Sequence, residues 1–244
     1  MLTFFDYSLS ARLQAVADRV AAGSIVADIG TDHAYLPLYL VKSGRCPRVV
    51  AVEVAPGPYQ RAVAAVRAAD LADRIEVRYG DGLQALQPGE AGTVVMAGLG
   101  SLTQQAILAA RPQVRQKLEY LVLQPQGKVE PLRRWLAAAG WCLVDEELVF
   151  EEGHYYFILV ARQGKSPAYS DIEWQLGPLL LKHRHPLLAG YLRRKMEKLA
   201  IAIDQMASSQ KAAARLQREQ FITKLKEIQE VLSWLQNVPR LSQQ

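Results

Sequence analysis

Two carboxylates and one imidazole lie around a single glycine turn near the start of the chain. Asp28, Asp32 and His33 fall within six residues, and Gly30 lies between the two acids. An apolar run before the turn predicts a buried strand, and a helix-like segment follows at 35–42. Glycine lacks a Cβ, so the backbone can approach a ligand closely there. The helix that follows begins with unpaired N–H groups and a positive dipole end, so this stretch predicts a nucleotide-binding turn.

The charges of this turn indicate a cationic ligand. A dinucleotide fingerprint, G-x-G-x-x-G, would place glycines at 30, 32 and 35, but only Gly30 is present. Asp32 would repel a pyrophosphate, which makes a dinucleotide oxidoreductase the weaker alternative. S-adenosylmethionine carries a sulfonium and an ammonium and no phosphate, so Asp28 and Asp32 favour it. His33 has two readings, a structural loop histidine or a contact to the donor or acceptor, and both stay open.

Further candidate residues follow the other predicted strands. Glu53 ends the second strand, 23 positions after Gly30, where an acidic side chain hydrogen-bonds a ribose diol. Asp81 follows the third strand and is placed to accept a hydrogen bond from the amine of an adenine. Ligands of a doubly wound sheet lie across the carboxyl ends of the strands. We therefore expect one donor site made of Asp28, Gly30, Asp32, His33, Glu53, Val54, Asp81, Gly82, Ala97 and Gly98.

Strands that alternate with helices must position these residues. Strands are predicted at 24–27, 49–52, 75–79, 93–97, 120–123, 141–150 and 155–160. Helices are predicted at 9–22, 35–42, 59–69, 102–110 and 129–139, and Pro56-Gly57-Pro58 predicts a break before the third. The pattern indicates an α/β fold with a parallel sheet covered on both faces. Only a short turn separates the last two strands, which predicts an antiparallel hairpin at one edge. The result is a seven-stranded sheet of the Rossmann-like methyltransferase type.

The sequence changes character after a polar linker at 163–171. Apolar residues then recur every three or four positions in two stretches, 192–206 and 221–235, which predicts two helices folded back on each other as a coiled coil. We expect a methyltransferase domain at 1–163 and a C-terminal α-helical coiled-coil domain at 164–244. The seam of this coiled coil is able to close within one chain or between two, so a monomer and a dimer both remain open.

Positive charge is concentrated in the C-terminal part. The chain carries +5 overall, and residues 165–244 hold 13 Lys+Arg and 7 Asp+Glu, a net charge of +6. Such asymmetry indicates an anionic partner, with nucleic acid the first candidate, although a solvated helical surface would also explain it. The basic residues expected to contact RNA are Lys182, Arg184, Arg193, Arg194, Lys195 and Lys198.

Composition and spacing exclude several other classes of protein. The two cysteines form no C-x-x-C pair and predict neither a disulfide framework nor a zinc site. The first residues do not resemble a signal peptide, and no apolar stretch approaches the ~20 residues that span a bilayer. We expect a cytoplasmic protein without a metal site.

Several motifs together resemble a known family. The chain contains DIGTDHAYLP at 28–37, EV at 53–54 followed by GPY at 57–59, GDGL at 80–83, AGLG at 97–100 and LQP at 123–125. These are similar to the bacterial tRNA (adenine-22-N1)-methyltransferases from about Leu9 to Ala161, and the helical tail resembles that family's coiled-coil domain. Two positions depart from the family pattern. Ser101 stands where a second glycine is usual, and Gln126 stands where asparagine is usual.

The resemblance implies methyl transfer from S-adenosylmethionine to N1 of an adenine in tRNA. It places Asp32 and His33 beside the donor or the adenine amine, and Gln124, Pro125 and Gln126 at the edge of the target base. Two alternatives remain at this point. One is a methyltransferase that acts on rRNA, a protein or a small molecule, and the other is a catalytically inactive RNA-binding relative.

Overall fold

A computed structural model describes residues 8–207 and 211–237. The strands are β1 (Val26–Ile29), β2 (Val49–Glu53), β3 (Ile75–Tyr79), β4 (Thr93–Gly100), β5 (Tyr120–Gln126), β6 (Trp141–Glu151) and β7 (His154–Gln163). The helices are α1 (Ala11–Asp18), α2 (Tyr35–Lys42), α3 (Pro56–Ala68), α4 (Ser101–Ala110), α5 (Pro112–Arg115), α6 (Glu130–Ala138), α7 (Asp171–Leu176), α8 (Pro178–Lys182), α9 (Leu188–Gln205) and α10 (Ala212–Gln236). A short 3₁₀ helix, Gly82–Ala85, follows β3.

The seven strands form one sheet in the order β3-β2-β1-β4-β5-β7-β6. The first five strands pair in parallel, whereas β7 pairs antiparallel to both β5 and β6. The predicted seven-stranded sheet with a terminal hairpin is therefore confirmed. The chain order reverses beside β1, which lies between β2 and β4, and a ligand crevice forms at such a point.

The core explains why the central strands are apolar throughout. Every residue of β1 and β2 is buried, because helices cover both faces of a parallel sheet. α1, α2 and α3 contribute Val16, Leu38 and Val66 to the cluster of buried side chains around these strands. Each such side chain stabilises the fold by about 1.5–3 kcal/mol relative to exposure. The strand ends are thereby held in place for the site.

Element bounds differ from the predicted ones where polar residues continue a strand or proline begins a helix. β1 runs on to Ile29, so Asp28 lies inside the strand rather than after it. Pro56, Gly57 and Pro58 are not a break, because they form the first turn of α3, where proline's missing N–H is not needed. β4 and β5 continue to Gly100 and Gln126, and their register shifts between Ala97 and Gly100. The short helices α5, α7 and α8 were not predicted.

A buried ion pair joins the hairpin to the residues that follow it. Arg133 on α6 and Glu146 on β6 are fully buried, with Nε and Oε1 2.7 Å apart. Arg133 also donates to the carbonyl of Trp174 at 3.1 Å, and Glu146 accepts from the N–H of Leu179 at 2.8 Å. Loss of one partner of such a pair typically costs about 3–5 kcal/mol. The segment around α7 is thus fixed to the sheet by polar contacts.

The chain forms two compact units that divide between Leu179 and Leu180, further along than the expected boundary at 163/164. In the second unit α9 and α10 pack against one another. Ser208 and Ser209, between the two predicted helical stretches, lie outside the described residues. Among the residues that the structure describes, no helix combines the length and apolar character needed to cross a bilayer. Within the same ranges, no three His, Cys, Asp or Glu side chains group as metal ligands.

Candidate active site

A cavity of about 910 Å³ opens at the carboxyl ends of β1 to β4. All ten residues predicted for the donor site line it: Asp28, Gly30, Asp32, His33, Glu53, Val54, Asp81, Gly82, Ala97 and Gly98. They come from four separate strand ends, so the sheet order brings together residues that are far apart in sequence. The predicted acceptor residues Gln124, Pro125 and Gln126 are not among those that line this cavity.

Glu53 is held rigidly at the end of β2. The residue is only 7% exposed. Its Oε2 accepts from the backbone N–H of Asp32 at 3.2 Å, and its Oε1 accepts from the N–H of Ala55 at 2.9 Å. Both carboxylate oxygens are therefore oriented by the main chain, and each retains capacity to accept a further hydrogen bond.

The turn after β1 uses three left-handed residues in alternation. Gly30, Asp32 and Ala34 have φ of 80°, 47° and 57°. The last of the three, Ala34, directly precedes Tyr35, which begins α2. A left-handed conformation costs a residue with a Cβ roughly 1–2 kcal/mol, and aspartate tolerates it better than alanine. Gly30 and Asp32 line the cavity, and the strained Ala34 lies buried behind them.

Asp28 and Asp32 meet different environments. Burial raises the pKa of the Asp28 carboxyl to about 6, and the nearby Glu53 carboxylate adds to the rise. Asp32 is exposed, and its Oδ1 lies 3.0 Å from Nη2 of Arg61 and 3.6 Å from Nε2 of His33. The His33 ring stacks on Tyr35 with centroids 5.3 Å apart. A cationic ligand would stabilise the ionised form of Asp28, which fits the donor proposed from the sequence.

Gln124 lies inside the protein at the end of β5. It is fully buried. Its Oε1 accepts from Nη1 of Arg12 at 2.6 Å, and its Nε2 donates to the carbonyl of Pro125 at 3.1 Å. The carbonyl of Gln124 accepts from Nε2 of Gln104 at 3.1 Å. The Gln124 amide, which was expected at the edge of the target base, therefore forms its hydrogen bonds within the protein.

The two departures from the family pattern lie side by side. Ser101 begins α4, is buried, and its hydroxyl donates to the carbonyl of Lys128 and, at 3.4 Å, to that of Gln126. The hydroxyl therefore holds the loop that follows β5. The Gln126 side chain is exposed, whereas Pro125 is buried.

Sequence reasoning missed Arg12, Arg61 and Tyr35, which also line the cavity. Arg61 lies on the second turn of α3, and Tyr35 is the first residue of α2. Arg12 lies on α1, before the nucleotide-binding turn, and reaches the site by packing α1 against β5, β6 and β7. No local pattern in the sequence marks that contact.

The predicted RNA-binding residues lie in the second unit, from the end of α8 into α9. Lys182, Arg193, Arg194 and Lys198 are exposed and Lys195 is half-buried. Arg184 differs from them, because its guanidinium lies 4.2 Å from the centre of the Trp234 ring. This stacking fixes the arginine against α10.

Comparison with known proteins gives matches over most of the chain. The family model described as tRNA (adenine(22)-N(1))-methyltransferase matches residues 26–229. A Bacillus subtilis protein of that name is 34% identical over 238 residues, covering 96% of this chain and 98% of the relative. A Streptococcus pneumoniae structure in complex with S-adenosyl-L-methionine is 34% identical with a TM-score of 0.83, covering 92% of this chain and 100% of that one. A Mycoplasma capricolum structure in complex with S-adenosyl-homocysteine is 25% identical with a TM-score of 0.79, covering 92% and 98%.

Proposed function

The chain belongs to the tRNA (adenine(22)-N(1))-methyltransferase family, and from this we propose how its own residues transfer a methyl group from S-adenosylmethionine to N1 of adenine 22 in tRNA. The observation that carries the assignment of roles is the carboxylate of Glu53, oriented by two main-chain N–H groups at the wall of the cavity. Family membership and this geometry lead to the same donor site.

Residues at the ends of β2 and β3 would hold the adenosine of the donor. Glu53 would accept hydrogen bonds from the ribose diol through the oxygens that Asp32 and Ala55 orient. Asp81, on the cavity wall after β3, accepts from the adenine amine. Asp28 and Asp32 lie between these residues and β4, where they stabilise the cationic end of the donor.

Methyl transfer to N1 requires the protein to align the donor with the adenine and does not require a strong base. N1 of adenine has an in-plane lone pair and no proton to lose. When bound, S-adenosylmethionine supplies a methyl group on a cationic sulfur, and transfer to N1 moves the positive charge onto the adenine. The residues around the cavity therefore act by orienting the two reactants and excluding water, which accounts for large rate effects in such reactions.

The acceptor base enters at the ends of β4 and β5. A base that is paired or stacked in folded tRNA must leave the stack to reach the donor. Gly98 on β4 lines the cavity, and the exposed Gln126 side chain lies at the neighbouring strand end. We assign Gln126 to the edge of the base and Gln124, whose amide is buried, to support of the strand end.

The basic residues of α8 and α9 bind the tRNA backbone. Lys182, Arg193, Arg194 and Lys198 are exposed within one short stretch of chain. Affinity from such phosphate contacts falls as salt rises, and folded RNA is recognised mainly by its shape.

Both cysteines are free, as expected for a protein that acts on tRNA in the reducing cytoplasm.

The test is incubation with labelled methyl donor and unmodified tRNA transcripts, followed by mapping of the modified base. We expect label on N1 of adenine 22. Label on another base would overturn the assigned acceptor. If isothermal titration shows donor binding but tRNA gains no label, the chain is an inactive relative, and absence of donor binding would remove the enzymatic function altogether.

A further inference from the structure

Arg12 is an arginine held in place by three other elements. Its backbone N–H donates to Oε1 of Glu151 on β6 at 3.0 Å, and its Nη1 donates to Gln124 on β5 at 2.6 Å. Its guanidinium carbon lies 5.4 Å from the centre of the Tyr156 ring on β7. The side chain is 21% exposed. A flexible surface arginine would not need anchors on three strands.

The fixed guanidinium lies on the acceptor side of the cavity. Arg12 lines the cavity, and its Nη1 is 3.9 Å from the position that a Cβ on Gly98 would occupy. Gly98 and Gln124 lie near the ends of β4 and β5, whereas the residues assigned to the adenosine of the donor lie at the end of β2 and after β3. Arg61, the other arginine on the cavity wall, is paired with Asp32 at 3.0 Å.

Part of the Arg12 guanidinium remains available for a ligand. Nη1 is used by Gln124, and Nε lies 3.9 Å from Oε2 of Glu151, which is too long for a hydrogen bond. In the described part of the chain, no hydrogen bond involves Nη2. The carboxylate of Glu151 thus offsets the charge of Arg12 in part without occupying its free donors.

We propose that Arg12 binds the phosphate of the nucleotide that enters the cavity, which makes it a positioning residue for the target base. The proposal rests on the proposed function. Arginine presents planar N–H donors that match a phosphate. The charge change of the reaction favours phosphate over the base, because methylation places positive charge on the adenine, and a guanidinium against the ring would oppose it.

The carboxylate of the methyl donor is another anion with similar chemistry. The experiment therefore measures the two ligands separately on the full chain. Arg12→Gln is compared with wild type for tRNA binding at several salt concentrations and for binding of S-adenosylhomocysteine by calorimetry. Arg19→Gln is the matched control, because Arg19 also lies at α1, pairs with Asp145 and Glu147 of β6, and does not line the cavity.

We expect Arg12→Gln to weaken tRNA binding about tenfold and to lower the slope of log affinity against log salt by about one. The affinity of Arg12→Gln for S-adenosylhomocysteine stays within about twofold of wild type. Arg19→Gln binds both tRNA and S-adenosylhomocysteine like wild type. Arg12→Lys keeps the salt slope, because it keeps the charge, and retains less of the affinity.

Two outcomes would overturn the proposal. Weaker S-adenosylhomocysteine binding with unchanged tRNA binding would assign Arg12 to the donor carboxylate, and unchanged binding of both ligands would leave Arg12 a purely structural role. If Arg12→Gln fails to fold, the tRNA affinity of Arg12→Lys decides the question: a loss with unchanged S-adenosylhomocysteine binding supports the proposal, and wild-type tRNA affinity overturns it. Because binding is read without methyl transfer, a wild type that binds tRNA but does not methylate it contradicts the proposed function and leaves the Arg12 result interpretable.

Discussion

Nη1 of Arg12 lies 2.6 Å from Oε1 of Gln124, and this hydrogen bond connects α1 to the carboxyl end of β5. The same amide donates to the carbonyl of Pro125, so both ends of the Gln124 side chain are used within the protein. The end of β5 is therefore supported from inside by a neutral amide and a guanidinium, and α1 contributes Arg12 to the cavity wall.

Replacement of Gln124 by leucine should destabilise the fold by about 1–3 kcal/mol, because it leaves the Arg12 guanidinium without its buried acceptor. Urea unfolding measures the change. Gln126→Ala is the control, since the Gln126 side chain is exposed and its loss should change stability by less than about 0.5 kcal/mol. Equal stability of the two variants would mean that the Arg12–Gln124 bond contributes nothing.

Glu53→Gln should weaken S-adenosylhomocysteine binding by about tenfold to a hundredfold, since hydrogen bonds to a charged group are worth about 1.5–3 kcal/mol. The amide keeps the size of the carboxylate but presents a nitrogen to one of the N–H groups of Asp32 and Ala55. Calorimetry measures the affinity. Glu76→Gln, on the exposed side of β3, serves as the control and should bind like wild type. If Glu53→Gln binds S-adenosylhomocysteine with wild-type affinity, the Glu53 carboxylate does not bind the ribose.

Local patterns in the sequence were sufficient for the sheet and for the ten residues that line the cavity beside it. Glu53 ends an apolar run and Asp81 follows a short strand of alternating apolar and charged residues, and the parallel sheet then places them together. The burial of Gln124 could not be read in this way. It depends on α1, which is more than 100 residues away in sequence and contributes Arg12 through tertiary packing.

Pro56 and the turn after β1 show a second reason why the observed elements differ from the predicted ones. A local pattern predicts a helix break at Pro56. Proline is nevertheless favourable in the first turn of a helix, which is where Pro56 lies in α3. At the turn after β1, Gly30 can be recognised in the sequence, whereas the backbone also adopts a positive φ at Asp32 and Ala34. An alanine gives no sign in the sequence that it adopts a positive φ.

Ala34→Gly should stabilise the free protein by about 0.5–1 kcal/mol, since relief of the left-handed conformation exceeds the entropy that glycine adds to the unfolded chain. Thermal unfolding measures the gain. Ala62→Gly is the matched control, because Ala62 is also buried but lies within α3, where glycine should cost about 1 kcal/mol. Destabilisation of Ala34→Gly would show that the alanine methyl packs well enough to outweigh its strain.

The raised pKa of Asp28 predicts a pH dependence of stability. Burial raises this pKa from 3.8 to about 6, so the folded protein binds a proton more tightly than the unfolded chain does. The free energy of unfolding therefore falls as pH rises from about 4 to about 6, by on the order of 3 kcal/mol from this group. Asp28→Asn cannot ionise and loses this component. In urea unfolding, the free energy of unfolding of Asp28→Asn should therefore increase relative to that of wild type as pH rises from about 4 to about 6. A difference that does not change with pH would contradict a raised pKa of Asp28.

Donor binding should release a proton from the same carboxyl. Near pH 6 about half of the Asp28 side chains are protonated in the free protein, and a cationic donor stabilises the ionised form. Binding of S-adenosylmethionine at this pH should therefore release up to about half a proton, and its affinity should rise as pH increases from about 5 to about 7. Calorimetry in two buffers of different ionisation enthalpy counts the protons directly. Asp28→Asn is the control and should release none. If wild type takes up protons instead, Asp28 is protonated in the complex and acts as a hydrogen-bond donor rather than as the partner of a cation.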